Sequence, residues 1–207
     1  KDRSEVLAGI SHDLRTPLTR LRLEAEMSVA DSARQAVVAD IEQMESVISQ
    51  FMDYARAESG EAPVLTDLTT LLASIAERQR SIGHTLSTAI DSLPETLLRP
   101  KAITRAVTNL IDNAVKYGGG DITLSAATVN GEICLEIKDR GPGVPPTEIE
   151  RLKRPFTRLE SARTDATGTG LGLAIVERIA RLHQGQLDLL PNPGGGLLVR
   201  LVLPIRR

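Results

Sequence analysis

A histidine near the start of the chain has the position of an exposed nucleophile on a helix. His12 is two residues from Ile10 and two from Leu14, so at about 100° per residue it is rotated about 200° away from each of these apolar positions. Its imidazole is therefore expected to face solvent. A neutral imidazole nitrogen is a good nucleophile near neutral pH, and the adjacent carboxylate of Asp13 can orient the ring and accept its proton.

Two amides and a lysine form a polar stripe in the second half of the chain. Asn109, Asn113 and Lys116 follow one another at spacings of four and three residues, which places them together on one helix face. Amide oxygens are neutral ligands for a hard cation such as Mg²⁺, and the lysine adds a point charge for phosphate. On residue types alone, such a stripe is also typical of a solvated helix face.

Two glycine-rich runs follow the polar stripe. The first begins with Asp139, at the end of a predicted strand, and continues to Gly143. A carboxylate at a strand end can accept the exocyclic amino proton of adenine, and glycines allow the backbone to approach a ligand closely. The second run extends from Gly168 to Gly172 and precedes an apolar helix, whose first amides favour phosphate. It lacks the Gly-Lys-Ser/Thr ending of a Walker loop.

The acceptor histidine belongs to a predicted helical hairpin. Apolar residues recur every three or four positions from Leu7 to Ala25, which predicts a helix to about Met27. A second stripe from Val37 to Ala55 is close to a coiled-coil seam. An antiparallel hairpin has too few layers to close a core, so we expect two copies to pair as a four-helix bundle, which makes the protein a homodimer.

A turn-rich linker at residues 59–63 separates two predicted domains, residues 1–59 and 60–207. The second domain mixes helical and alternating patterns, which favour an α+β sandwich with helices on one sheet face. The helix beginning near Pro100 is well bounded, because proline marks its start and Gly118 follows its end. The predicted helices lie near 67–80, 101–117 and 171–183, and the predicted strands near 84–91, 121–128, 132–139, 186–190 and 196–203.

Composition excludes several classes of protein. Lys plus Arg number 25 against 27 for Asp plus Glu, a net charge of −2 that gives no electrostatic reason to expect nucleic-acid binding. The one cysteine, Cys134, excludes an intramolecular disulfide and is expected to be a buried thiol. No apolar stretch approaches the about 20 residues that span a bilayer. Because the chain starts within a helical pattern without Met, we expect a fragment whose upstream, membrane-bound part is missing.

The run around His12 resembles the phospho-acceptor box of bacterial sensor histidine kinases, and most closely that of the osmosensor type. The resemblance makes His12 the phosphorylated residue and Asp13 the base or orienting group. Thr16, four positions after the histidine, then supports removal of phosphate from a partner protein. The matching run is Ile10-Ser11-His12-Asp13-Leu14-Arg15-Thr16-Pro17-Leu18.

The polar stripe resembles the asparagine box of the same kinases, from Asn109 to Tyr117. By this resemblance Asn113 is the Mg²⁺ ligand, Asn109 and Lys116 face the phosphates, and Tyr117 lines the base or ribose side. The two glycine runs resemble the kinase glycine boxes, and residues 145–167 between them resemble the ATP lid. The ATP contacts implied there are Asp139, Gly141, Gly143, Phe156, Arg158, Arg163, Gly168, Thr169, Gly170, Leu171, Gly172 and Leu173.

The lid departs from the family pattern at two positions. Lys153 stands where the family usually has the first of two phenylalanines, and only the second, Phe156, is kept. Thr167 stands where many relatives have a further glycine. These departures concern the detailed contacts of the lid, and the order of the four boxes along the chain is that of the family.

The resemblance implies a dimeric helical hairpin followed by the ATP-binding sandwich that histidine kinases share with type II topoisomerases. The predicted function is that of a two-component sensor kinase, which phosphorylates itself on His12 with Mg-ATP and passes the phosphate to an aspartate of a response-regulator receiver domain. Three alternatives remain open from the sequence. The first is a chain that acts chiefly as a phosphatase toward the regulator. The second is a non-catalytic ATP-binding dimerisation module, and the third is an ATPase resembling the topoisomerase relatives.

Overall fold

The computed structural model describes residues 18–23, 25–27, 31–56, 61–157 and 169–207. Residues 18–23 and 25–27 are helical and are called α1, and α2 spans Asp31–Arg56. The two helices lie side by side, since Arg22 of α1 forms an ion pair of 3.2 Å with Glu42 of α2. The predicted helical hairpin is therefore confirmed. None of the helices in these described ranges is long and apolar enough to cross a membrane.

The second part of the chain alternates strands and helices. The prediction located every long element to within a few residues. The elements are β1 (Val64–Thr66), α3 (Leu68–Ser81), β2 (Leu86–Ile90), β3 (Thr96–Leu98), α4 (Pro100–Tyr117), β4 (Ile122–Val129), β5 (Glu132–Lys138), a 3₁₀ turn (Pro146–Glu148), α5 (Ile149–Leu152), α6 (Gly172–Leu182), β6 (Gln186–Pro191) and β7 (Leu197–Pro204).

Five strands form one sheet in the order β2-β4-β5-β7-β6. All neighbouring pairs are antiparallel except β2 and β4, which are parallel. A parallel pair needs a crossover connection, and α4 lies in the segment that joins these two strands. Burial alternates along β4 and β5, so that one face of the sheet carries the core, as predicted for helices layered on one side.

A second, two-stranded sheet was not predicted. β1 pairs antiparallel with β3, with Val64 opposite Leu98 and Thr66 opposite Thr96. Three residues are too few to show the alternation by which a strand is recognised in a sequence. This small sheet ties the segment after the linker to the segment just before α4.

The core fills the space between the sheet and the helices α3, α4 and α6. The fully buried side chains include Leu72 of α3, Ile111 of α4 and Ile175 of α6. They pack with the inward residues of the strands in one continuous cluster. Cys134 does not belong to this cluster. Its side chain is half-buried on the other face of the sheet, so the prediction of a buried thiol was wrong.

Candidate nucleotide site

Helix α4 carries the polar stripe and has the bounds that its sequence predicted. Pro100 occupies the first turn, and Gly118 is the C-cap, whose N–H donates to the carbonyl of Ala114 at 2.7 Å. The apolar face of the helix packs on the sheet. On the polar side Asn109 and Asn113 are half-buried, whereas Lys116 and Tyr117, one turn further along, are exposed.

The start of α6 lies against the two asparagines of α4. A Cβ atom at Gly172 would be 3.2 Å from Nδ2 and 3.3 Å from Oδ1 of Asn113, and 3.5 Å from Oδ1 of Asn109. The Asn109 amide is held by its Nδ2, which donates to the carbonyl of Arg105 at 2.9 Å, so its Oδ1 is left on the side of Gly172. The asparagine stripe and the second glycine run, far apart in the chain, therefore meet at one place.

Leu171 is the N-cap residue of α6 and is fully buried. A leucine side chain cannot accept hydrogen bonds from the N–H groups of the first helical turn, which are therefore suited to an anion. The backbone before it is turned by Thr169, whose hydroxyl accepts a hydrogen bond of 3.3 Å from the Leu171 N–H. Any contact of Leu171 with a ligand must come from its backbone, since its side chain belongs to the core.

Gly170, in the second glycine run, lies against Thr157, the last described residue of the predicted lid. Gly170 has φ +71°, and a Cβ there would be 2.7 Å from the carbonyl oxygen of Thr157. Glycine is required for both reasons. Phe156, the residue before Thr157, also has a positive φ of +62°, and 64% of its surface is exposed. A bulky residue in this backbone region is unusual and is typical of a functional segment.

The carboxylate of Asp139 is buried directly after β5, and only 8% of the residue is exposed. Its Oδ1 accepts two backbone hydrogen bonds, from the N–H of Gly141 at 2.9 Å and from the N–H of Leu197 at 3.0 Å. The backbone carbonyl oxygen of Asp139 accepts a further hydrogen bond, of 2.7 Å, from Nδ2 of Asn192. The described hydrogen bonds of the carboxylate thus all use Oδ1, and Oδ2 is left for another donor.

Three glycines allow the backbone to close around Asp139. A Cβ at Gly118 would be 2.5 Å from the Asp139 Cβ, and one at Gly141 would be 2.3 Å from the carbonyl oxygen of Tyr117. Gly196, with φ +97°, leaves only 2.1 Å between an added Cβ and the Asp139 carbonyl oxygen. The end of α4, the first glycine run and the loop between β6 and β7 are therefore packed backbone to backbone.

Comparisons with known proteins agree with this geometry. Residues 99–207 match the family described as Histidine kinase-, DNA gyrase B-, and HSP90-like ATPase, and residues 2–60 match the His Kinase A (phospho-acceptor) domain. The first of these matches covers more than half of the chain. The chain belongs to the histidine kinase family.

Individual kinases show how far the similarity extends. The sensor histidine kinase GtrS of Pseudomonas aeruginosa is 34% identical over 206 residues, which cover 98% of this chain and 42% of that protein. The crystal structure of full-length ShkA in complex with AMPPNP has a TM-score of 0.76 at 27% identity and covers 98% of this chain and 46% of that one. The histidine kinase domain of the E. coli osmosensor EnvZ has a TM-score of 0.57 at 36% identity over 72% of this chain and 93% of that one.

The chain spans less than half of the length of the curated relatives that it matches. Within that span the kinase fold brings most of the predicted ATP residues into two groups at one end of the molecule. Asn109, Asn113 and the start of α6 form one group, and Asp139 with the glycines around it forms the other. Lys116 and Tyr117 lie between them at the end of α4, where Lys116 Nζ is 5.5 Å from the Tyr117 ring centroid.

Other residues predicted to contact ATP or to take part in catalysis lie outside these two groups or outside the described part of the kinase. Leu173 is half-buried and packs against the core, so its side chain has a structural role. Gly143 has φ +72°, and a Cβ there would be 3.1 Å from the carbonyl oxygen of Gly196. The predicted residues that lie outside the described part of the chain are His12, Asp13, Thr16, Arg158, Arg163 and Gly168.

The asparagine box of the kinase also contains a carboxylate that has a different surrounding. Although Asp112 retains solvent contact, nearby protein atoms desolvate its carboxyl and raise its pKa, while the electrostatic interaction with His84 opposes this shift. Asp112 therefore faces the loop after α3. It does not belong to the group formed by Asn109 and Asn113.

Three residues that hold Asp139 were missed at the level of sequence. Asn192 and Gly196 belong to the turn between β6 and β7, and Gly118 was interpreted only as a helix end. The run Asn192-Pro193-Gly194-Gly195-Gly196 is a strong turn signal. Its consecutive glycines were the available indication that another backbone segment approaches closely there.

Proposed function

We propose that this chain is the catalytic part of a two-component sensor kinase, which transfers the γ-phosphoryl group of Mg-ATP to His12 and then to an aspartate of a response-regulator receiver domain. The observation that carries the proposal is the meeting of the α4 asparagines with the glycine start of α6, beside a phospho-acceptor domain match over residues 2–60. The two halves of a phosphotransfer reaction, donor site and acceptor, are then present in one chain.

The adenine end of the proposed site is formed by Asp139. Because its Oδ1 is held by two backbone N–H groups, the carboxylate is fixed in orientation and can direct Oδ2 at the exocyclic amino group of adenine. Gly141 and Gly143 allow the first glycine run to pack against the end of α4 and the loop between β6 and β7, which holds Asp139 in place. Tyr117, exposed at the end of α4, is suited to line the base or ribose.

The phosphate end is formed where α6 meets α4. A space that a single added Cβ at Gly172 would fill lies beside the Asn113 amide, and an amide oxygen there suits Mg²⁺. We propose Asn113 as the Mg²⁺ ligand, and Asn109, Lys116 and the first N–H groups of α6 as phosphate contacts. Residues of the lid and of the second glycine run complete the proposed ATP site: Phe156, Arg158, Arg163, Gly168, Thr169, Gly170 and Leu171.

The chemistry required of the chain is mainly positioning. ATP supplies the phosphoryl group as substrate, and bound Mg²⁺ neutralises phosphate charge. A neutral imidazole nitrogen of His12 attacks the γ-phosphorus, the bond from that phosphorus to the β–γ bridging oxygen breaks, and ADP leaves. Asp13 orients the ring and accepts its proton. Thr16 is proposed to orient a water molecule for removal of phosphate from the regulator, so that the same surface also carries phosphatase activity.

A homodimer is part of this proposal. In the single chain, apolar side chains of the hairpin remain in solvent, including Leu21 (51% exposed), Met44 (53%) and Phe51 (38%). Their burial against a second hairpin would form the predicted four-helix bundle.

The boundary between residues 1–59 and 60–207 stays a prediction, as does an inner-membrane parent protein whose cytoplasmic part is this chain.

The alternatives make different predictions. A topoisomerase-like ATPase has no use for an acceptor histidine, and the match of residues 2–60 to the phospho-acceptor domain argues against it. A non-catalytic module would bind ATP without phosphorylating itself. A chain that is chiefly a phosphatase would depend on Thr16 and would release phosphate from the regulator faster than it labels His12.

The test is incubation of the chain with γ-labelled Mg-ATP, followed by acid or alkali treatment of the labelled protein. Wild type should carry an acid-labile, alkali-stable label that is lost in His12→Ala and kept in the control His84→Gln, since His84 lies on the loop after α3. Label that persists in His12→Ala would assign the acceptor to another residue. Steady ATP hydrolysis without any label would instead support the ATPase.

A further inference from the structure

Glu61, which lies within the predicted linker at residues 59–63, binds the N-terminus of α4. Its Oε1 accepts a hydrogen bond of 2.8 Å from the N–H of Lys101, and its Oε2 accepts one of 3.0 Å from the N–H of Ala102. The helix has no cap of its own, because the N-cap residue Arg99 makes no side-chain cap hydrogen bond and Pro100 has no N–H. A carboxylate forty residues earlier in the chain therefore satisfies the free amides at the positive end of this helix.

Arg99 joins this contact to the end of α6. Its Nε donates to the carbonyl of Glu61 at 2.8 Å, and its Nη1 donates to the carbonyl of Leu182 at 3.4 Å. Its backbone N–H donates to Nε2 of His183 at 3.0 Å. Through Glu61, the linker is thus bound to the start of α4 and, by way of Arg99, to the end of α6.

His183, at the end of α6, fixes the position of Arg99 through its buried ring. The residue is buried, with 4% of its surface exposed, and both ring nitrogens have partners. Nε2 accepts from Arg99, so Nδ1 carries the proton and donates to the carbonyl of Ile179 at 2.8 Å. Burial and the adjacent Arg99 guanidinium lower the pKa of the imidazole, which keeps the neutral form that this arrangement requires.

The same two helices carry the nucleotide site at their other ends. Asn109 lies eight residues after Lys101, about 12 Å along the helix at 1.5 Å per residue, and Gly172 at the start of α6 faces Asn109 and Asn113. Glu61 is therefore too far away to touch a nucleotide. A packed pair of helices is rigid, so the position of the linker at one end determines where the nucleotide site at the other end is held.

We propose that Glu61 is a positioning residue for phosphoryl transfer, which fastens the linker to the α4–α6 pair and so sets the placement of bound ATP relative to His12. The proposal rests on the proposed function. Changes at Glu61 should alter the approach of the phosphoryl donor to His12 and leave the ATP contacts themselves in place.

The experiment uses the whole chain and compares Glu61→Ala, Glu61→Gln and a control, Glu95→Ala, which removes an exposed glutamate on the loop before β3. For each variant, the dissociation constant for Mg-AMPPNP and the single-turnover rate of His12 labelling are measured. We expect Glu61→Ala to slow labelling by about ten- to a hundred-fold, with a change of less than about three-fold in the dissociation constant. Glu61→Gln keeps one acceptor oxygen and should recover part of the rate.

Amide hydrogen exchange gives a readout of the cap itself. Exchange at Lys101 and Ala102 should rise in Glu61→Ala and remain unchanged in Glu95→Ala. The proposal is overturned if Glu61→Ala labels His12 at the wild-type rate. It is also overturned if the dissociation constant for Mg-AMPPNP rises by as large a factor as the labelling rate falls. Should the alanine variant not fold, the same comparison on Glu61→Gln decides. Absence of label on His12 in wild type would instead overturn the proposed function.

Discussion

The substitution Gly172→Ala separates the stability of the protein from its affinity for nucleotide. The added Cβ would be 3.2 Å and 3.3 Å from the Asn113 amide atoms and 3.5 Å from the Asn109 Oδ1. Alanine in a helix is more favourable than glycine by about 0.8–1.0 kcal/mol, and shifting one side-chain amide away from its preferred rotamer costs about 0.5–1.5 kcal/mol. The two effects oppose each other, so the free energy of unfolding should stay within about 1 kcal/mol of wild type.

Nucleotide binding has no such compensation. If Asn113 holds Mg²⁺, a displacement of a few tenths of an ångström moves the metal ligand itself. Changes to the groups that orient a metal ligand typically cost about ten- to a hundred-fold in affinity, which corresponds to about 1.4–2.8 kcal/mol. Mg-ATP binding to Gly172→Ala should therefore weaken by this factor while the protein remains folded.

The assay pairs titration calorimetry of Mg-AMPPNP with urea denaturation in the absence of nucleotide. Arg181→Ala is the control, because Arg181 lies on the exposed side of the same helix and pairs with Glu177 at 2.8 Å, away from the asparagines. It should bind nucleotide as wild type does. If Gly172→Ala also binds with wild-type affinity, the amides of Asn113 and Asn109 are not part of the nucleotide site and the reasoning fails.

Two further predictions concern buried polar contacts. Because burial lowers the pKa of His183 below 6.5, the unfolded chain binds a proton first as the pH falls, so the free energy of unfolding should decrease below about pH 6.5. Urea denaturation between about pH 5 and 8 measures this slope, and His183→Asn should flatten it; an unchanged slope would count against the assignment. Asn192→Ala removes the donor to the Asp139 carbonyl and should cost about 1–3 kcal/mol of unfolding free energy. It should also weaken ATP binding, and wild-type affinity at reduced stability would limit Asn192 to a structural role.

Local physical chemistry made the main elements predictable. The proline at the start of α4 and the glycine after it are conformational signals that act within a few residues. The stripe of Asn109, Asn113 and Lys116 follows from helical periodicity alone. The resemblance of the boxes around His12, Asn109, Asp139 and Gly168 to those of histidine kinases, in the same order, then indicated the reaction, which periodicity does not contain.

The tertiary structure decided which of these residues meet. No local preference records that Gly172 must be glycine because the Asn113 amide lies 3.2 Å from where its Cβ would be. The pairing of β1 with β3 and the capping of α4 by Glu61 join residues thirty or more positions apart. Such contacts depend on how the helices and strands pack, and their free energy is absent from the isolated segments. The sequence alone therefore identified the chemical groups and their helices, whereas packing selected their partners.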